Sequence, residues 1–161
     1  MNNPTHDAVD ALLQQHAVQV IITGAGTTTR DENWECDAWR VTFRRAGKEF
    51  TTDFFTGIGL RSKPTPMLGA TPYRVNTIAW HEWQAARKPV KPHPDSVLHS
   101  LILDASALDD NFGDWCSNFG YDSDSLKALN TYNQCCLNGR NMKTILGADL
   151  VAELTTLLED Y

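Results

Sequence analysis

The segment Trp39-Arg40-Val41-Thr42-Phe43-Arg44-Arg45, followed by Ala46-Gly47 and then Lys48-Glu49-Phe50-Thr51-Thr52-Asp53-Phe54-Phe55, constrains this chain more than any other. Alternation puts Trp39, Val41 and Phe43 on one face and Arg40, Thr42 and Arg44 on the other, and a turn containing glycine reverses the chain. This pattern predicts an antiparallel hairpin with one face buried. Upstream, Val18-Gln19-Val20-Ile21-Ile22-Thr23 is apolar and β-branched and predicts a third strand, ended by Gly24-Ala25-Gly26 and followed by a polar loop to about Cys36. The expected sheet is a three-stranded antiparallel meander over about 18–23, 39–45 and 48–55.

Helical signals flank the sheet. Before it, Thr5 is placed to cap a short helix carrying Ala8, Val9, Leu12 and Leu13 and ending near His16. After it, prolines at 64, 66, 72, 89, 92 and 94 forbid a long regular element, and 57–94 reads as a proline-rich insertion in which only 76–88 has helical spacing. Pro94-Asp95 then opens a helix with Val97, Leu98, Leu101, Ile102, Ala105 and Leu108 as its apolar stripe. Asp109-Asp110-Asn111 ends that helix and caps a short one with Phe112, Trp115, Cys116 and Phe119, stopped by Gly120. A longer helix after Asp122-Ser123-Asp124-Ser125 is expected to turn Leu126, Leu129, Tyr132 and Cys136 inward and to break near Asn138-Gly139. A final helix opens near Gly147. The expectation is an α+β fold, one domain over 1–161, in which the sheet is followed by the insertion and a C-terminal helical bundle.

A chain of 161 residues with 42% hydrophobic content has enough apolar material for a core. Nothing in it matches a membrane span or a secretory leader, so a soluble, cytoplasmic protein is expected, with no membrane partner. Its net charge is −6, unevenly spread: residues 1–94 carry 11 Lys+Arg and 9 Asp+Glu, whereas residues 95–161 carry 3 and 11. An acidic chain does not suit a general nucleic-acid coat, which needs a cationic field. Cys36, Cys116, Cys135 and Cys136 follow no zinc or disulfide spacing and read as reduced core thiols.

Motifs for catalysis are missing. Thr23-Gly24-Ala25-Gly26-Thr27-Thr28-Thr29 evokes a dinucleotide loop, but Thr29 stands where the third glycine belongs and no amphipathic helix follows. Asp122-Ser123-Asp124 begins like a calcium loop, yet Lys127 and Asn133 occupy the positions that need glycine and glutamate. His6, His16, His81, His93 and His99 are scattered, none four residues from another, so a helical metal site has no support. There is no nucleophile elbow, P-loop or zincin motif. No enzyme, metal or cofactor is expected.

Three surfaces stand out instead. The acidic helical third carries Asp104, Asp109, Asp110, Asp114, Asp122 and Asp124, with Glu153, Glu159 and Asp160 at its end. Such density can imitate a row of phosphates and occupy a basic groove on another protein, or it can simply be the caps and solvated faces of acidic helices. The hairpin's basic face, Arg40, Arg44, Arg45 and Lys48, offers a nucleic-acid contact with Trp34 or Trp39 as a stacking platform. In the insertion, Tyr73, Trp80 and Trp83 are candidate anchors for a partner or a homodimer.

Four blocks carry a resemblance: residues 39–45, Phe54-Phe55-Thr56-Gly57-Ile58-Gly59, Asp95-Ser96-Val97-Leu98-His99-Ser100-Leu101, and above all Phe112-Gly113-Asp114-Trp115-Cys116-Ser117-Asn118-Phe119-Gly120-Tyr121-Asp122-Ser123-Asp124-Ser125-Leu126-Lys127-Ala128. Over roughly 34–135 the chain resembles small uncharacterised proteins encoded by bacteriophages and prophages, in which a short β-meander precedes a helical part. The resemblance implies a phage accessory protein and assigns no catalytic residues. Small, acidic, non-enzymatic phage proteins are often inhibitors of host defence, including anti-CRISPR proteins, and the expected function is stoichiometric binding to such a component. A nucleic-acid-associated module and an enzyme acting on a defence component are the alternatives. The Trp115–Ser125 segment also reads, with no partner at all, as a corner that fixes two helices.

Overall fold

In a computed structural model, which describes residues 3–30, 34–60 and 89–159, the alternating segment forms β2 (Trp34–Arg45) and β3 (Lys48–Leu60). With β1 (Gln19–Arg30) they make an antiparallel sheet in the order β1-β2-β3. Trp39, Val41 and Phe43 are buried and Arg40 and Arg44 exposed, as the alternation requires. Burial of a side chain the size of Phe43 contributes about 2–3 kcal/mol. At the turn, Ala46 and Gly47 both have positive φ, 51° and 78°, the signature of a type I′ hairpin.

The strands run further than the sequence suggests. Gly24-Ala25-Gly26 lies inside β1 and is not its end. Trp39 covers the gap, since a Cβ on Gly24 would sit 3.8 Å from its ring, so the indole supplies the packing the glycine lacks. The β-branched Thr27-Thr28-Thr29 continues the ladder where a loop was expected. β3 likewise extends to Leu60, into the stretch read as insertion; Tyr73, Trp80, Trp83 and the expected 76–88 helix lie outside the described residues.

The chain divides into two compact units, Met1–Val20 with Thr42–Phe50 and Pro92–Tyr161, and Ile21–Val41 with Thr51–Lys91. In the second, Ile22, Cys36, Trp39 and Val41 are buried, and the Trp39 indole N–H donates to Thr56 Oγ1 at 3.2 Å.

Among the described residues the helices lie in the first unit: α1 (Pro4–Gln15), α2 (Pro94–Ala105), a 3-10 turn (Ser106–Asp109), α3 (Phe112–Phe119), α4 (Leu126–Leu146) and α5 (Ala148–Leu157). Asn3, not Thr5, caps α1: its side chain accepts from the N–H groups of Thr5 and His6, and Pro4 takes the first helical position. α1 ends in a Schellman motif, Val18 N–H to Leu13 O at 2.9 Å and Ala17 N–H to Gln14 O at 3.1 Å, which forces Ala17 to φ 55°. α4 packs chiefly on α2 and runs unbroken through Asn138-Gly139. Gly139 marks the crossing: a Cβ there would lie 2.7 Å from Ala105 Cα. The residue read as a break is therefore the one that lets two helices touch.

Arg45 joins the hairpin to these helices. Its guanidinium donates to the carbonyls of His16 at 3.0 Å, Ile145 at 3.4 Å and Leu146, at the C-terminal ends of α1 and α4. A cation is favoured there by the unsatisfied carbonyls and the negative end of each helix dipole.

Candidate interaction surface

The α3–α4 corner is assembled around Trp115. Asn111 caps α3 by accepting from Asp114 N–H at 2.8 Å, and Gly120, at φ 76°, stops it so that Tyr121 N–H returns to Cys116 O at 2.9 Å. Asp122 Oδ1 accepts from Asp124 N–H, closing a turn that delivers Ser125 as the cap of α4 through Ala128 N–H at 3.2 Å. Trp115, Cys116, Ala107, Ala128 and Cys136 form a small core. Tyr121 stacks on Trp115 at 4.8 Å, Tyr132 meets it edge-on at 5.4 Å, and the Tyr132 hydroxyl donates to Asp110 O at 2.8 Å. The inner half of the distinctive phrase thus fixes two helices.

Its outer half faces solvent. Phe119 is 48% exposed, Leu126 72% and Leu137 47%, with Tyr121 and Leu129 also exposed. Of the set expected to face inward on α4, Cys136 is buried and Tyr132 packs against the small core, whereas Leu126 and Leu129 are exposed. The buried face is Ala128, Cys136, Gly139, Met142, Ile145 and Leu146, while Leu126, Leu129 and Leu137 are exposed. Gly139 faces inward because the crossing with α2 is close there, and Ala128 because it packs in the small core around Trp115.

Carboxylates are frequent in the same segment. Asp109, Asp114, Asp122 and Asp124 are exposed; Asp110 is half-buried, with Asn118 Nδ2 donating to it at 3.5 Å. Asp104 does not belong to this surface. It is half-buried on α2, accepting from Asn138 Nδ2 at 3.2 Å and from the Cys135 thiol at 3.6 Å, and burial raises its pKa. The Cys135 thiol is pushed up to about 12 by burial and by the Asp104 charge, so it is no nucleophile at neutral pH. Cys36, Cys116, Cys135 and Cys136 form no disulfide with one another. Glu153 lies on α5 beside His16, Oε2 to Nε2 3.6 Å, away from the corner in sequence and partner; Glu159 is exposed, and Asp160 lies outside the described residues.

The basic hairpin face is largely occupied. Arg44 pairs with Glu49 at 2.6 Å, Arg40 approaches Asp53 at 3.8 Å, and Arg45 is committed to helix ends; Lys48 is exposed. Trp39 is buried and so is no stacking platform. Gly24-Ala25-Gly26 opens no helix, which removes the geometry a pyrophosphate would need. Two histidines scattered in sequence, His6 and His93, come together against Asp95. Among the described residues no helix is long and apolar enough to cross a membrane.

No protein-family model matches the chain, and no curated protein or solved structure matches it either.

Proposed function

We propose that the chain is a phage or mobile-element accessory protein that inhibits a host defence system, such as a CRISPR effector complex, by stoichiometric binding through the 109–137 corner. The observation that carries this reading is the coincidence, in the segment that turns from α3 into α4, of exposed carboxylates with exposed Phe119, Tyr121, Leu126 and Leu129. Carboxylates attract a surface built to hold phosphates, and large apolar side chains supply the desolvated anchor that charge alone does not. The partner this chemistry fits is a protein with a basic nucleic-acid-binding groove. The resemblance of residues 112–128 to phage-encoded proteins supports the setting, and the action proposed is occupancy, without catalysis.

The test is co-purification of the full chain with candidate effector complexes, together with phage plating on CRISPR-active hosts. Retention by one complex and increased plating are expected. No retention by any complex and unchanged plating would sink the proposal.

A further inference from the structure

His6 lies in the first turn of α1 and Asp10 one turn further along, while His93 caps α2 and Asp95 is its second residue. The fold unites residues 89 apart in the chain. Asp95 is 0% exposed, and a carboxylate so removed from water needs positive charge beside it. Both imidazoles turn Nδ1 toward it. His6 Nδ1 closely contacts Oδ2, and His93 Nδ1 lies 3.1 Å from Oδ1. On the other side of its ring, His93 Nε2 lies 3.0 Å from Asp10 Oδ1. The two rings lie face to face, centroids 4.0 Å apart and planes at 9°.

The donor atoms of His6, His93 and Asp95 all lie within 4.8 Å of one another. Two imidazoles and a carboxylate are a donor set for divalent first-row metals. Asp10 holds the position of the carboxylate that orients a ligating histidine through its other nitrogen. We propose that His6, His93 and Asp95 bind a divalent transition-metal ion of the zinc type, oriented by Asp10, and that this ion clamps the first turn of α1 to the start of α2.

Each imidazole must present a lone pair to the ion. A metal–nitrogen bond lies in the plane of the ring, so binding of the ion requires the imidazoles to leave their face-to-face stack. His93 Nδ1, which also accepts the Asp95 amide N–H at 3.1 Å, trades that bond for the ion. His16 and His99 are not in the cluster, and the buried thiols take no part.

Chelator-treated full-length protein, titrated with ZnCl2 by calorimetry and with CoCl2 by visible absorption, tests the site. One ion per chain is expected, with a cobalt d–d band and no thiolate charge-transfer band. His6→Ala and His93→Ala should each weaken zinc binding at least about 100-fold, Asp10→Asn about 10-fold, and His99→Ala not at all. Zinc should raise the Tm of the wild type and leave that of His6→Ala unchanged. His6 is half-buried against Asp95, so circular dichroism checks that His6→Ala is folded, and the exposed Asp10, replaced in Asp10→Asn, gives a second reading that does not touch the buried pair. No stoichiometric binding, a thiolate band, or undiminished affinity in His6→Ala would overturn the proposal.

Discussion

Two alanines hold backbone conformations that favour other residues. Ala17 completes a Schellman motif at φ 55°, and Ala46 opens a type I′ turn at φ 51°. A Cβ in the left-handed region is strained, so Ala17→Gly and Ala46→Asn should each stabilise the protein by about 0.5–1 kcal/mol, read as a higher denaturant midpoint at unchanged slope. Asp104 gives a pH signature at the same scale. Burial raises its pKa above the ordinary 3.8, so the folded chain holds this proton more tightly than the unfolded chain. Its contribution therefore opposes folding above the folded-state value and fades as the pH falls toward 3.8. Denaturation of wild type and Asp104→Asn between pH 7 and pH 4 should show the wild type gaining on the variant as pH falls. A constant difference would contradict the assignment. Nothing in the sequence separates Asp104 from the exposed aspartates near it, because its burial comes from Asn138 and Cys135 across a helix crossing.

Elements that declare themselves locally were legible in advance. The hairpin follows from alternation, and α3 follows from Asn111 and Gly120, whose capping roles need only neighbours. Elements decided by distant partners were not. β1 survives two glycines because Trp39 lies over one of them, and α4 survives Gly139 because that glycine admits Ala105. In isolation, helix propensity favours alanine over glycine by about 1 kcal/mol. At position 139 a Cβ would meet backbone, so Gly139→Ala should instead destabilise by about 1–3 kcal/mol, measured by thermal or urea denaturation. The same limit explains Leu126 and Leu129: their spacing fits an inner stripe, but the buried face is the one bearing Ala128, in the small core around Trp115, and Gly139, at the close crossing. The arginines show the converse. Arg45 was legible as a basic-face residue, whereas its role at two helix ends depends on carbonyls far off in sequence.

At the scale of the whole molecule, the uneven charge of the chain acquires a location. The net charge of −6 comes from the helical third, and within it Asp109, Asp114, Asp122 and Asp124 are exposed along the same segment that exposes Phe119 and Leu126. Asp104 drops out of that surface, Glu153 belongs to another helix, and the basic hairpin is occupied by Glu49, Asp53 and helix carbonyls. If the corner binds a basic groove, its two components should separate kinetically, since exposed charges act mainly on association and apolar anchors on dissociation. The most direct measurement is the binding kinetics of a retained effector complex as a function of salt, for wild type, Leu126→Ala and a triple reversal of Asp109, Asp114 and Asp124 to lysine. The expected result is an association rate that falls with salt for wild type, falls at least about 10-fold on charge reversal, and is nearly unchanged in Leu126→Ala, whose complex instead dissociates faster. Association that is indifferent to both salt and charge reversal would contradict the acidic corner as the binding surface.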